Sequence, residues 1–211
     1  LAEALDTYDW VGAGRSDGKT KGEFSAVFYR KDILKLMKTG NFWLSKSPDV
    51  AGSTSWNTAI TRMCTWAHFK NRRTGKEFYH FNTHWDHVSE EARRESAMLI
   101  AEKAEHIAGN HLAFLTGDLN AQRKSKAYRI ITEQGFDDTR MLAQYGHLGP
   151  DFTHVGFPYK ARPGRVIDYV LIKNRPRDLN VRLHTTLSLH TNDYYPSDHL
   201  PVIASFSYGQ E

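Results

Sequence analysis

Cysteine is almost missing from this 211-residue chain, where Cys64 stands alone. One thiol excludes an internal disulfide, so folding does not depend on an oxidising compartment. Long apolar runs are missing as well. None approaches the roughly 18 residues of a membrane-spanning helix, and no signal peptide opens the given residues. Both features favour an intracellular setting over a secreted one. Charge of one sign is scarce: 28 Lys and Arg against 24 Asp and Glu leave +4. That surplus helps a protein approach polyanions, but it is far from the dense basic patch of an obligate nucleic-acid binder. Internal repeats and Pro/Gly-rich linkers are absent, so residues 1–211 are expected to form a single domain. Aromatics, in contrast, are plentiful, with five Trp, ten Tyr and eleven Phe.

Period-2 patterning marks the strands. "EFSAVFYR" sets Phe24, Ala26 and Phe28 against Ser25, Val27 and Tyr29. "RMCTWAHFK" and "KEFYHFNTHW" follow, separated by "NRRTGK", whose Gly75 suits a hairpin turn. "HLAFLT", "VIDYVLI" and "LPVIASFSY" complete the set. One helix is predicted from an N-cap at Ser89, with Glu90 and Glu91 at the positive end of the dipole. Ala92, Leu99, Ile100 and Ile107 recur at helical spacing, and Gly109-Asn110 stops it. A second helix is predicted from about Ser125 to Gln134. The Ser/Thr/Gly/Trp-rich stretch 38–60 reads as a long surface loop, and 146–165 as another irregular region. Strands outnumber helices, so an α+β domain with layered sheets and outer helices is expected.

Polar residues gather where these strands end. "FNTHWDH" closes with Asn82, His84, Asp86 and His87, and "TGDLNA" with Asp118 and Asn120. Asp168 interrupts "VIDYVLI", where an ionised carboxylate is costly unless paired or bound to a cation. Asp198 and His199 precede the last strand. Any one of these is explained by a turn, since Asp and Asn are common turn formers. Together they hold the parts of a phosphoester hydrolase. Hard cations such as Mg²⁺ take one or two carboxylates and keep several waters. A base must act on water, and a histidine held by a carboxylate has a fixed tautomer and orientation.

"NTHWDH", "TGDLNA", "VIDYVLI" and "SDHLPV", in that order, resemble the signature of the endonuclease/exonuclease/phosphatase superfamily. "KGEFSAVFYR" and "TRMCTWAHF" extend the likeness. The resemblance implies the deoxyribonuclease-I-like fold: a four-layered α/β sandwich of two mixed sheets flanked by helices. It implies Asp198 as a metal ligand, with Asp118 orienting or deprotonating the attacking water and Asn120 holding water or a phosphate oxygen. His199 paired with Asp168 would stabilise phosphoryl charge or act as acid/base. His84 supported by Glu23 would contact the phosphate or leaving group, and Arg62 would add positive charge. The implied cofactor is Mg²⁺, with Mn²⁺ as a possible substitute.

Superfamily members begin with a strand carrying an Asn and a strand ending in Gln-Glu, whose Glu binds the metal. "LAEALDTYDWVG" resembles the segment after that pair, so the first two strands are expected to be absent from the given chain, upstream of Leu1. Such a piece should fold poorly alone. If the chain truly starts at Leu1, a catalytically incompetent interaction module is the alternative. A zinc hydrolase using His80, His84, Asp86 and His87 is a further rival, weakened by Asn82 where that pattern wants His. The nearest branch by appearance holds RNA-deadenylating exonucleases and uncharacterised microbial and fungal members. A 3′–5′ exonuclease on single-stranded RNA is therefore the first specific expectation, with DNA, a lipid phosphoester or a small phosphoester as alternatives. Phe152, His154, Phe157 and Tyr159 precede the Asp168 strand, where substrate-stacking aromatics are expected. Trp43 and Trp56, in the 38–60 loop, pose the same choice between stacking and packing.

Overall fold

The computed structural model describes residues 2–157, 164–191 and 193–209. Two short antiparallel strands, β1 (Tyr8–Val11) and β2 (Val27–Arg30), pair first. Val27 and Tyr29 turn inward from β2, while Phe24 and Phe28 stay exposed. An antiparallel meander follows: β3 (Leu34–Trp43), β4 (Met63–Asn71) and β5 (Glu77–His84). Helix α1 (Glu90–Ala108) then crosses over to β6 (Ala113–Asp118), which lies parallel to β5. After α2 (Lys126–Glu133) come β7 (Asp137–Asp138), α3 (Thr139–Leu142), β8 (His147–Leu148), β9 (Asp168–Lys173), β10 (Leu179–Thr186) and β11 (Val202–Tyr208).

These strands form a mixed six-stranded sheet, β3-β4-β5-β6-β9-β7, and a mixed three-stranded sheet, β11-β10-β8, with β1-β2 as a separate pair. The result is an α+β architecture of two mixed sheets flanked by few helices. The main core lies between α1, α2 and the six-stranded sheet, built on Phe42, Phe81, Trp85, Leu115, Ile131 and Leu171. Helix α1 buries a stripe of small residues, including Ala97, Ala101, Ala104 and Ala108, so its backbone lies close to the strands. Ser89 caps it as expected, accepting a hydrogen bond from the Ala92 N–H at 3.1 Å. On the opposite face Phe78, Phe114, Ile172, Leu179 and Phe206 join the two sheets. Beside this cluster runs an apolar groove of about 510 Å³ floored by Phe78 and Phe114 and walled by Val202, Ala204 and Phe206.

Two readings of the sequence need correction. Residues 38–43 are strand, not loop, because β3 pairs with β4 along its whole length. Its polar composition hides this: Thr65 Oγ1 donates to Asn41 Oδ1 at 2.8 Å, and the Trp66 indole covers Gly40. Trp43 is accordingly buried, its indole N–H donating to the Arg15 carbonyl, so it packs rather than stacks on substrate. Asp168 does not sit mid-strand either. It is the first residue of β9, and the apolar residues before it belong to the incoming loop.

Candidate active site

The functional side chains converge because three strand ends coincide. β5 and β6 run parallel, so their C-terminal residues His84 and Asp118 stand side by side. β9 runs the other way, which brings its first residue, Asp168, level with Asp118. Gly117 makes the close approach possible. With φ of +140°, it has a hydrogen where a Cβ would sit 1.8 Å from the Thr83 carbonyl oxygen.

Beyond the strand, Asn120 takes a left-handed φ of 45°. Its N–H donates to Asp118 Oδ1 at 2.7 Å, and its side-chain amide donates to the Trp85 carbonyl at 3.0 Å. The "GDLN" turn therefore both ends the strand and fixes the Asp118 carboxylate. The other oxygen, Oδ2, lies 3.3 Å from His84 Nε2 and 3.9 Å from His199 Nε2. His199 Nδ1 donates to Asp168 Oδ2 at 2.8 Å, which leaves its Nε2 toward the cleft. His84 Nδ1 lies 3.8 Å from Glu23, which is itself paired with Arg15.

Electrostatics follow from these contacts. Burial opposes ionisation of Asp118, but the hydrogen bond from His84 and the N–H of Asn120 outweigh it and hold its pKa below the ordinary carboxylate value. The Asp168 hydrogen bond raises the His199 imidazole above the usual histidine value against the opposing effect of burial. Burial, and then the His199 charge, push His154 down. A cleft of about 370 Å³ collects Glu23, Arg62, His84, Asp118, Asn120 and His199, together with His87, His154 and Arg165.

The expected residues thus come together, with exceptions. Phe152 and Phe157 do not line this cleft; Phe157 is exposed, and His154 is the loop residue that reaches it. Its ring meets His199 edge-on at 4.9 Å. Tyr159 lies outside the described residues. Arg15 and Arg165 escaped notice because isolated arginines in loops carry no periodic signal; only their approach in space groups them. Asp86 is a structural hub rather than a ligand. Burial opposes its ionisation, but the N–H groups of Ser89, Val88 and Ala59 and the Thr58 hydroxyl hold its carboxyl at about 2. The zinc-like set does not converge: His80 bonds Thr116, His84 faces Asp118, and His87 bonds Arg62.

Among the described residues, donors able to hold a cation form two overlapping groups: Asp118, Asp168 and His199, and His154, Asp198 and His199. Within each, the ligand atoms all lie within 4.8 Å of one another. Asp168 is engaged by His199, and Asp118 by His84 and the Asn120 N–H; Asp118 and Asp198 belong to different groups, which share His199. Both groups are mixed sets of carboxylate and imidazole donors, enough for a divalent cation that keeps several waters.

A two-sheet sandwich whose strand ends present an acid between two histidines, one backed by a second acid, defines a phosphoester-hydrolase type of site. The chain belongs to the endonuclease/exonuclease/phosphatase family, whose model matches residues 2–199. Members of that family are hydrolases of phosphoesters and generally use divalent metals. A family protein from Bacteroides thetaiotaomicron is similar at 34% identity, covering 99% of this chain and 78% of that one, with a TM-score of 0.91. A mannosyl-6-phosphatase from the same species is similar at 35% identity over 98% of this chain and 79% of that one, TM-score 0.89. The human Nocturnin catalytic domain shares the fold at 20% identity, covering 98% and 74%, TM-score 0.71. Among the described residues no helix is long and apolar enough to cross a membrane.

Proposed function

We propose that this chain hydrolyses a small phosphomonoester of the sugar-phosphate kind with the help of Mg²⁺ or Mn²⁺. The observation that carries the chemistry is the Asp118 carboxylate held between His84 and His199, with Asp168 behind the latter. The likeness at 35% identity to a mannosyl-6-phosphatase supports the substrate class. The cleft volume of about 370 Å³ suits one sugar ring and its phosphate.

Asp198 would hold the cation, which when bound polarises a phosphoryl oxygen and offsets its charge. Asp118, kept ionised by its lowered pKa and fixed by the Asn120 N–H, accepts the proton of the attacking water. His199 presents a protonated Nε2 to the phosphoryl oxygens, its Nδ1 fixed by Asp168. His84 faces the same centre from the other side, and Arg62 supplies a fixed positive charge. The P–O bond to the sugar breaks as the water oxygen bonds to phosphorus, and the departing sugar oxygen takes up a proton from solvent, releasing the sugar hydroxyl and inorganic phosphate.

The RNA exonuclease reading is second, supported by the exposed Phe157 ring, three residues beyond His154, on which a base could stack. A panel of mannose 6-phosphate, glucose 6-phosphate, a phosphodiester and single-stranded RNA, each with Mg²⁺, separates the two. Phosphate release from a hexose 6-phosphate is expected. RNA shortening without phosphate release from any sugar phosphate would overturn the substrate class, and inactivity on the whole panel would overturn the hydrolase reading.

A further inference from the structure

The Arg62 guanidinium is only 3% exposed, yet no carboxylate satisfies it. Its Nε lies 3.9 Å from Asp86 Oδ2, too far for a hydrogen bond, and that oxygen already accepts from Thr58 and Ala59. Nε and Nη1 are buried without a hydrogen-bond partner among the described residues. Burial and the nearby Arg15 charge work against this cation, and the Asp86, Glu23 and Asp118 charges only partly offset them. Buried N–H donors without acceptors are costly, so Nε and Nη1 call for an acceptor that the described residues do not supply. Arg62 also lines the cleft beside His84 and Asp118.

The hydrogen bond that the Arg62 side chain makes among the described residues is unusual in kind: Nη2 meets His87 Nδ1 at 3.1 Å. Arginine has no acceptor atom, so His87 Nδ1 must be the acceptor and the imidazole neutral, with its proton on Nε2. A carboxylate in this position would orient the guanidinium equally well, but it would also neutralise it and repel an incoming anion. A neutral imidazole orients without neutralising.

We propose that His87 is a positioning residue that aims Arg62 at the substrate's phosphate without adding a second negative charge to that of Asp86, so that the phosphate dianion supplies the acceptors that Nε and Nη1 lack. The identity of the anion rests on the phosphoester reading above; the arrangement of His87 and Arg62 does not.

Because His87 is exposed, its variants should fold. The test compares His87→Gln, a neutral acceptor, with His87→Glu, a charged one, and measures inorganic phosphate binding calorimetrically, kcat and KM on a phosphomonoester, and melting temperature. His87→Gln is expected to bind phosphate within about threefold of the parent. His87→Glu is expected to bind at least about tenfold more weakly and to raise KM more than it lowers kcat, while melting no lower than the parent because it satisfies the buried guanidinium. That opposition between stability and binding is what a purely structural role cannot produce. Unchanged phosphate binding in His87→Glu, or equal loss in both variants, overturns the proposal even if the parent is an active hydrolase. A parent that binds phosphate with this dependence on residue 87 but hydrolyses no phosphoester upholds the proposal and overturns the functional reading. A parent that hydrolyses phosphoesters but binds no phosphate also overturns it.

Discussion

Replacing Asp168 by Asn keeps the shape of the side chain and removes one negative charge from the most closely coupled pair in the site. His199 Nδ1 donates to Asp168 at 2.8 Å, with the two side chains 27% and 19% exposed, so the bond is shielded from bulk water without being fully buried. Charge-assisted hydrogen bonds of this kind are worth about 1.5–3 kcal/mol. If that energy stabilises the charged imidazole in the transition state, its loss lowers kcat/KM by about 10- to 150-fold, at 1.4 kcal/mol per decade. The pH dependence has a definite sign. Asp168 raises the His199 value, so the protonated imidazole persists to higher pH, and activity that needs it falls only as pH rises through that raised value. Asp168→Asn should move the alkaline limb of the pH–rate profile to lower pH. The assay is kcat/KM for a phosphomonoester from pH 5 to 10 with saturating Mg²⁺. An alkaline limb that stays in place, or a rate within twofold of the parent at all pH values, would refute the role given to this pair.

Asp118→Asn should cut kcat by roughly 10²–10⁴ while leaving the melting temperature within a few degrees, because the amide oxygen can still accept from Asn120. Gly117→Ala should destabilise by at least about 3 kcal/mol, or around 10 °C, since its Cβ meets the Thr83 carbonyl at 1.8 Å; calorimetry would show it. His184 is buried with its Nδ1 2.8 Å from that of His147, and burial pushes its value from 6.5 to about 4. Its folded value lies below its unfolded one, so its contribution is intact above pH 6.5 and is lost as pH falls toward 4, about 3 kcal/mol in all. Urea unfolding at pH 7.5 and 4.5 should show that loss, and His184→Gln should reduce it. Removal of divalent cations with a chelator should abolish turnover, with Mg²⁺ or Mn²⁺ restoring it; restoration by Zn²⁺ alone would contradict the proposed Mg²⁺ or Mn²⁺ dependence.

Ser89 as an N-cap, Gly109 as a helix stop, the span of α2 and the alternation in β4, β5, β6 and β11 were legible because each is a local signal with a local cause. β3 and β10 were not. β3 takes its stability from pairing with β4, and a bulge between Val181 and Leu183 breaks the alternation of β10. Asp168 shows the same limit within the site. Its importance was read from the cost of a charge in mid-strand, whereas the structure places it at a strand start beside two other strand ends.

The order of "NTHWDH", "TGDLNA", "VIDYVLI" and "SDHLPV" determined the family and most of the candidate site, because residue types at strand ends are a property of the chain itself. Tertiary structure alone decided which partners they meet. The parallel register of β5 and β6 against the reversed β9 brings His84, Asp118 and Asp168 into one row. The loops then carry His199, His154 and Arg165 to that row, and His87 to Arg62. Spacing along the chain contains no record of such meetings, since they arise from packing between residues far apart in sequence.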